Sequence, residues 1–212
     1  MFCYVGYGQG VAPSAADMAS AITIIQGHPD PAGNRFGHAL ADAYAQGARE
    51  AGHEVKRIEV AHLDVPLLRT KEEFESGSAP DAIQQCQAAI AWADHLVLLY
   101  PLWGGTMPAL LKAFFEQAFR PGFAIAPAEP GRMPKRLLAG KSARIVVTMG
   151  MPAFVYRWYF GAHGLRGLER SILAFAGIGP IKESLIGTVE ARNPAGREKW
   201  LERMHALGRA GA

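Results

Sequence analysis

Three short segments of this sequence carry residue types that can hold a flat, negatively charged small molecule. The first is Gly27-His28-Pro29-Asp30-Pro31-Ala32-Gly33-Asn34-Arg35-Phe36, between an apolar run and an amphipathic one. Backbone N–H groups at a helix start, the helix dipole and the side chains of His28, Asn34 and Arg35 can cradle a phosphate. The segment has neither a Walker lysine nor GxGxxG. Read alone, it is equally an ordinary proline turn with an asparagine N-cap. The second, Tyr100-Pro101-Leu102-Trp103-Gly104-Gly105-Thr106-Met107-Pro108, sets large apolar residues beside adjacent glycines. Glycine permits close approach and unusual torsions. That suits backbone pressed against a planar ring, with main-chain donors and acceptors aimed at its polar edge. Thr106 is alternatively a cap for the next helix. The third, Thr148-Met149-Gly150-Met151-Pro152, runs into five aromatics between Phe154 and Phe160 and then His163-Gly164. Those aromatics either fill the core or form a patch that a ligand or second subunit covers.

The elements around these loops follow from periodicity. Ala21–Ile25 is a β-branched apolar run of the kind a buried parallel strand needs. Phe36, Leu40, Ala43, Tyr44, Gly47 and Ala51 make one face of a helix closed by Gly52. His53–Val60 alternates and reads as a second strand, and Asp81 is an N-cap candidate for the next helix. Asp94–Tyr100 holds a third strand. Pro108 opens a helix that turns Leu110, Leu111, Phe114, Phe115 and Ala118 inward. A connection studded with Pro121, Pro127, Pro130 and Pro134 is long enough to suggest a functional loop. Ala143–Thr148 is a fourth strand, Leu165–Ala176 a helix and Ser184–Val189 a fifth strand. Asn193-Pro194 starts a last helix with Trp200, Met204 and Leu207 on its inner stripe. Five strands alternating with five helices give a three-layer α/β domain, its five-stranded sheet mostly parallel with helices on both faces. In such sheets ligands sit beyond the carboxyl ends of the strands, where strand order reverses. All three loops lie at those ends.

Composition narrows the possibilities. The chain has 212 residues, a net charge of +3 and 19% charged residues, which suits one domain with a sizeable core. No basic cluster exceeds Lys135-Arg136, so no nucleic-acid footprint is expected, and no apolar run reaches the length of a membrane span. Cys3 and Cys86 show no disulfide or metal spacing, which points to the cytoplasm. The scattered histidines suggest no metal site, and no GxSxG elbow supplies a hydrolase nucleophile. Residues 1–20, rich in Gly and Ala without Lys or Arg, read as an N-terminal extension outside the fold, with Met18 a plausible start. The domain proper is 21–212.

His28-Pro29, then Asn34-Arg35-Phe36-Gly-His-Ala-Leu40, Tyr100-Pro-Leu-Trp103, Met107-Pro-Ala-Leu-Leu-Lys112 and Phe115-Glu116 together resemble the NAD(P)H:quinone oxidoreductases of flavodoxin-like fold. That family includes the DT-diaphorases, drug-modulator proteins and ancillary oxidoreductases of potassium efflux. The similarity runs from about Ile22 to His205. It implies a non-covalent flavin, FAD or FMN, which the sequence does not distinguish. The flavin phosphates would lie at His28, Asn34, Arg35 and Phe36. Its ring would lie against Pro101, Leu102, Trp103, Gly104 and Gly105, with Thr148 and Gly150 at the other edge. Tyr156 and His163 match the family's charge-stabilising tyrosine and histidine, with Tyr159 the fallback. His163 is then a candidate proton shuttle, or else a helix-entry residue making a structural hydrogen bond. NAD(P)H as donor, a quinone-like acceptor, ping-pong hydride transfer and a homodimer are also implied. A flavin-bearing regulatory partner of a membrane transporter and a one-electron carrier are the alternatives. This sequence departs from the family at Gly104, where a large residue is usual, at Met149 and Met151, and at Arg35, where serine is common.

Overall fold

The computed structural model describes residues 19–127, 131 and 134–212. The chain runs β1 (Ala21–Gln26), α1 (Phe36–Glu50), β2 (Glu54–Glu59), α2 (Lys71–Glu75), α3 (Asp81–Trp92), β3 (His95–Pro101) and α4 (Ala109–Ala118). It continues through β4 (Ser142–Thr148), α5 (His163–Gly167), α6 (Ala174–Ala176), β5 (Ile181–Ile186) and α7 (Pro194–Arg209). Two π-helical stretches, Val155–Tyr159 and Leu168–Leu173, lie between β4 and α6.

The sheet order is β2-β1-β3-β4-β5 and every pairing is parallel. Strands β1, β3 and β4 are buried almost throughout, as sheet centres covered on both faces must be. On one face Ile22, Ile24, Val97, Leu99, Val146 and Ile186 pack against Leu40 and Tyr44 of α1 and Met204 of α7. On the other, Ile25, Leu96, Leu98, Ile145 and Val147 meet α3, α4 and the helical stretch after β4. Order reverses between β1 and β3, so the crevice opens beyond Gln26 and Pro101. The three-layer flavodoxin-like architecture read from the sequence is the one present, with its sheet wholly parallel.

Several boundaries differ from expectation. β5 lies three residues earlier than read, because the chain leaves the sheet at Gly187 and Thr188 takes a left-handed φ of 53°. The apolar Val189, which made the later segment look like a strand, instead lines a cleft. Asp81 is not an N-cap: Pro80 holds that position, and Asp81 sits in the first turn, where a carboxylate still favours the dipole. Thr106 does not cap α4; Pro108 stands there. The short helix α2 was not anticipated, although Thr70 accepts from the Glu73 amide at 3.1 Å and so caps it. Of the extension expected at residues 1–20, residues 1–18, Cys3 among them, lie outside the described residues. Ser20, however, belongs to the fold. Its N–H donates to His53 Nδ1 at 3.0 Å and its carbonyl accepts from the Glu54 amide at 3.1 Å. Pro130, in the long connection after α4, also lies outside the described residues.

Candidate active site

The first loop folds on itself before α1. The His28 N–H donates to Gln26 Oε1 at 3.1 Å, while Gln26 Nε2 donates to the Gly37 carbonyl at 3.0 Å. This buried glutamine ties the end of β1 to the first turn of α1. The Asp30 N–H donates to His28 Nδ1 at 3.1 Å, so in the neutral ring Nε2 keeps its proton and is a donor. Burial, chiefly, and the neighbouring His38 and Arg35 hold the His28 pKa below the usual histidine range, against the opposing Asp30. Asp30 in turn anchors Arg35 with an ion pair of 2.6 Å. Arg35 stands at the N-cap of α1, no side chain among the described residues caps that helix and its first turn has no acid. Its leading N–H groups are therefore left to an outside acceptor.

The second loop is a two-residue hairpin. Trp103 N–H donates to the Thr106 carbonyl at 2.9 Å and the Thr106 N–H returns to the Trp103 carbonyl at 3.0 Å. Gly104 and Gly105 form its tip, with φ of 56° and 80°, the pair of positive values a type I′ turn requires. The consecutive glycines thus have a local reason. They also leave the indole of Trp103 half exposed, edge-on to His28 with ring centres 6.1 Å apart.

The third loop is held by strand-like bonds to its neighbours. The Leu102 N–H donates to the Thr148 carbonyl at 2.8 Å, the Met149 N–H to Ile186 at 2.9 Å and the Thr188 N–H to Met151 at 3.1 Å. A Cβ on Gly187 would lie 2.7 Å from the Met151 carbonyl, so that position must be glycine for the loop to pack.

Together these loops enclose a cleft of about 450 Å³, lined by His28, Asn34, Arg35, Phe36, Pro101, Leu102, Trp103, Thr148 and Gly150. Met149 of the third loop and Gly37 of α1 also line it, and sequence reasoning missed three further walls: Val189, Glu190 and Arg197. Arg197 lies in the first turns of α7, donates to the Val189 carbonyl at 3.2 Å and sits 5.8 Å over the Phe36 ring. Its only sequence signal was a basic residue shortly after the Asn193 cap, which donates nothing to the motif.

The remaining candidates lie elsewhere. Gly104 and His163 line a second, more apolar cleft that shares Trp103 as a wall and extends along Met107, Pro108, Leu168 and Ile172. Gly105 and Tyr156 line neither cleft. The Tyr156 side chain is buried, and its hydroxyl donates to the Gly105 carbonyl at 3.3 Å and accepts from the Leu165 amide at 3.2 Å. Burial, above all, pushes its pKa up. Tyr159 is exposed on the surface with Phe154, Trp158 and Phe160.

This arrangement fits a flavin. Uncapped helix N–H groups, two guanidinium groups and the His28 donor suit a phosphate. The glycine hairpin and the Thr148–Gly150 backbone, where Gly150 has no atom within 4 Å of a Cβ position, leave room for a ring edge.

Comparison with known proteins agrees with the fold. A family model described as flavodoxin-like fold matches residues 20–207. An uncharacterized NAD(P)H oxidoreductase of Haemophilus influenzae is 27% identical over 183 residues, 84% of this chain and 89% of that protein. FMN-dependent NADH:quinone oxidoreductase 2 of Listeria innocua is 30% identical over 148 residues, 65% of this chain and 68% of that protein. The solved NAD(P)H:quinone oxidoreductase from Methanothermobacter marburgensis superposes with a TM-score of 0.76 at 23% identity, covering 91% of this chain and 98% of that one. The share of a curated relative's length that the chain covers ranges from 38% to 89%. With its strand order, its three crevice loops and this match over nearly its full length, the chain belongs to the flavodoxin-like fold family (Flavodoxin_2).

Proposed function

We propose that this protein is a flavin-dependent NAD(P)H oxidoreductase that reduces quinone-like acceptors. The observation that carries this reading is the first cleft. It sits at the strand-order reversal, with an uncapped, cation-flanked helix start at one end and the glycine hairpin beside Trp103 at the other. The relatives named above as FMN-dependent or NAD(P)H oxidoreductases support the cofactor and donor classes, and among flavins they favour FMN.

When bound, the flavin would supply hydride acceptance from NAD(P)H and hydride delivery to the acceptor. The protein's own residues bind and orient. His28, Asn34 and Arg35, with the α1 N-terminus and Arg197, hold the phosphate. Pro101, Leu102 and Trp103 form the apolar floor, and the Thr148–Gly150 backbone presents hydrogen-bonding groups to the ring edge, where electrostatic preorganisation stabilises developing charge. Tyr156 fixes the Gly105 carbonyl. His163, exposed in the second cleft, moves a proton between solvent and whatever occupies the space beside Trp103.

A homodimer is part of the proposal. Trp158 and Tyr159 are 81% and 82% exposed, next to Phe154 and Phe160. Four exposed aromatics on one short segment suit coverage by a second copy. A cytoplasmic location rests on the cysteine usage alone. Among the described residues no helix is long and apolar enough to cross a membrane.

The functional test is oxidation of NADH and NADPH by the flavin-loaded protein with and without a benzoquinone. Oxidation that depends on the quinone supports the enzyme. Flavin binding without quinone-dependent turnover points instead to a carrier or regulatory partner.

A further inference from the structure

The second cleft is larger than the first, about 770 Å³ against about 450 Å³, and falls within the range of small-molecule sites. It runs between the first turn of α4 and the helical stretch that begins at His163, and it shares the half-exposed Trp103 with the first cleft. Its walls are mostly apolar, from Trp103, Met107, Leu168 and Ile172. The side chains that bring charge or a titratable ring to it are Lys112, one turn into α4, and His163, the first residue of α5. Among the described residues no Asp or Glu lines it. At the hairpin tip no atom lies within 4 Å of a Cβ position on Gly104, so an occupant meets backbone there and no side chain.

Lys112 is ion-paired with Glu116 one turn along the helix, and both side chains are exposed. Glu116 lines a neighbouring groove with Phe119 and Phe175 and takes no part in the second cleft. An exposed pair of this kind is weak. An acid docked against the apolar walls, where less water competes, exchanges with Glu116 for the Lys112 ammonium. Apolar walls, one cation and no carboxylate together select a flat aromatic body that carries a negative charge.

We propose that the second cleft receives the body of the electron acceptor, that the preferred acceptor is a fused-ring quinone with an acidic substituent, and that Lys112 determines this specificity by holding the acid. The substrate class deepens the quinone-reductase reading above and rests on it, whereas the binding preference needs no turnover. The acid is a handle and stays unchanged. The quinone ring gains a hydride that originates in NAD(P)H and a proton passed by His163, and leaves as the hydroquinone.

The test is calorimetric titration of the full-length protein, loaded with FMN and free of NAD(P)H, with two probes: an anthraquinone monosulfonate and the matching neutral hydroxymethyl anthraquinone. The sulfonate is expected to bind about tenfold more tightly, the scale of one charge-assisted hydrogen bond, and added salt should shrink the difference. Lys112→Met should remove the preference. Lys199→Met makes the same charge change on α7, across the sheet from α4, and should keep it. Ile172→Trp fills the cleft and should weaken both probes. Equal affinities in the wild type, a preference that survives Lys112→Met, or undiminished binding to a folded Ile172→Trp would each overturn the proposal. So would probes that fail to bind while Ile172→Trp changes the oligomeric state, since a second copy would then cover the cleft. The quinone-reductase reading fails separately: selective binding without reduction of either probe by NAD(P)H sinks that reading and leaves the site standing.

Discussion

The Tyr156 hydroxyl donates to the Gly105 carbonyl at 3.3 Å and, through the Leu165 amide it accepts from, joins the second loop to α5. Replacing it with phenylalanine leaves the buried Leu165 N–H without a partner. Tyr156→Phe should therefore cost about 1–3 kcal/mol, the desolvation penalty of an unpaired buried group, as measured by denaturant unfolding. It should also weaken flavin binding, read by quenching of flavin fluorescence.

Gly164 lies against the same hairpin. A Cβ there would come within 2.6 Å of Thr106 Cα, closer than real side chains approach and with backbone that cannot step aside. Gly164→Ala is expected to displace the hairpin or α5 at a cost of about 1–3 kcal/mol, lowering the thermal midpoint and the flavin affinity together. Unchanged values for both would show that the hairpin is not held against α5.

Stability should depend on pH through a histidine far from the clefts. His95 is buried at the start of β3, with Nδ1 2.7 Å from Ser142 Oγ, and burial, then Arg144 and Lys182, hold its pKa down at about 4. The unfolded chain takes up a proton near pH 6.5 that the folded chain refuses. Stability is thus retained above that value and lost as pH falls towards 4, by up to about 3 kcal/mol. Urea unfolding at a series of pH values should show this slope, and His95→Gln should reduce it.

How much of this was legible in the sequence differs by residue. The crevice loops were readable because their glycines, prolines and apolar neighbours are contiguous, and topology alone puts them at the carboxyl end of the sheet. Arg197 and Val189 were not, because they reach the cleft from the distant helix α7 and from the turn after β5, whose approach depends on tertiary packing. β5 was misplaced for a related reason. As an edge strand it carries Lys182 at an exposed and Glu183 at a half-buried position, and the apolar run that looked like its continuation is a turn lining the cleft. The Thr70–Glu73 spacing that caps α2 was present in the sequence as a capping signal. The roles implied for Tyr156 and Gly104 could not be separated by motif: one side chain points into the protein, and the other position is a turn tip beside the second cleft.

The two arginines at the phosphate end should act on cofactor affinity with little effect on folding, since both are exposed. Arg35→Ala and Arg197→Ala are each expected to weaken flavin binding about tenfold, the scale of one charge-assisted hydrogen bond. Titration of the flavin-free protein with FMN checks this. The effect should shrink as salt is added.

Coverage of the aromatic patch by a second copy is checked by sedimentation. Trp158→Ser combined with Tyr159→Ser should shift the protein towards monomer at micromolar concentration with its far-ultraviolet dichroism unchanged. A wild-type protein that is already monomeric contradicts the dimer.

The central claim, a flavin seated between α1 and the Trp103 hairpin, is tested most directly by the visible absorption of the purified protein and the identity of the chromophore it releases on denaturation. The account predicts a yellow protein that releases one flavin per chain, or a colourless one that binds added FMN stoichiometrically. A colourless protein that takes up neither FMN nor FAD would contradict it.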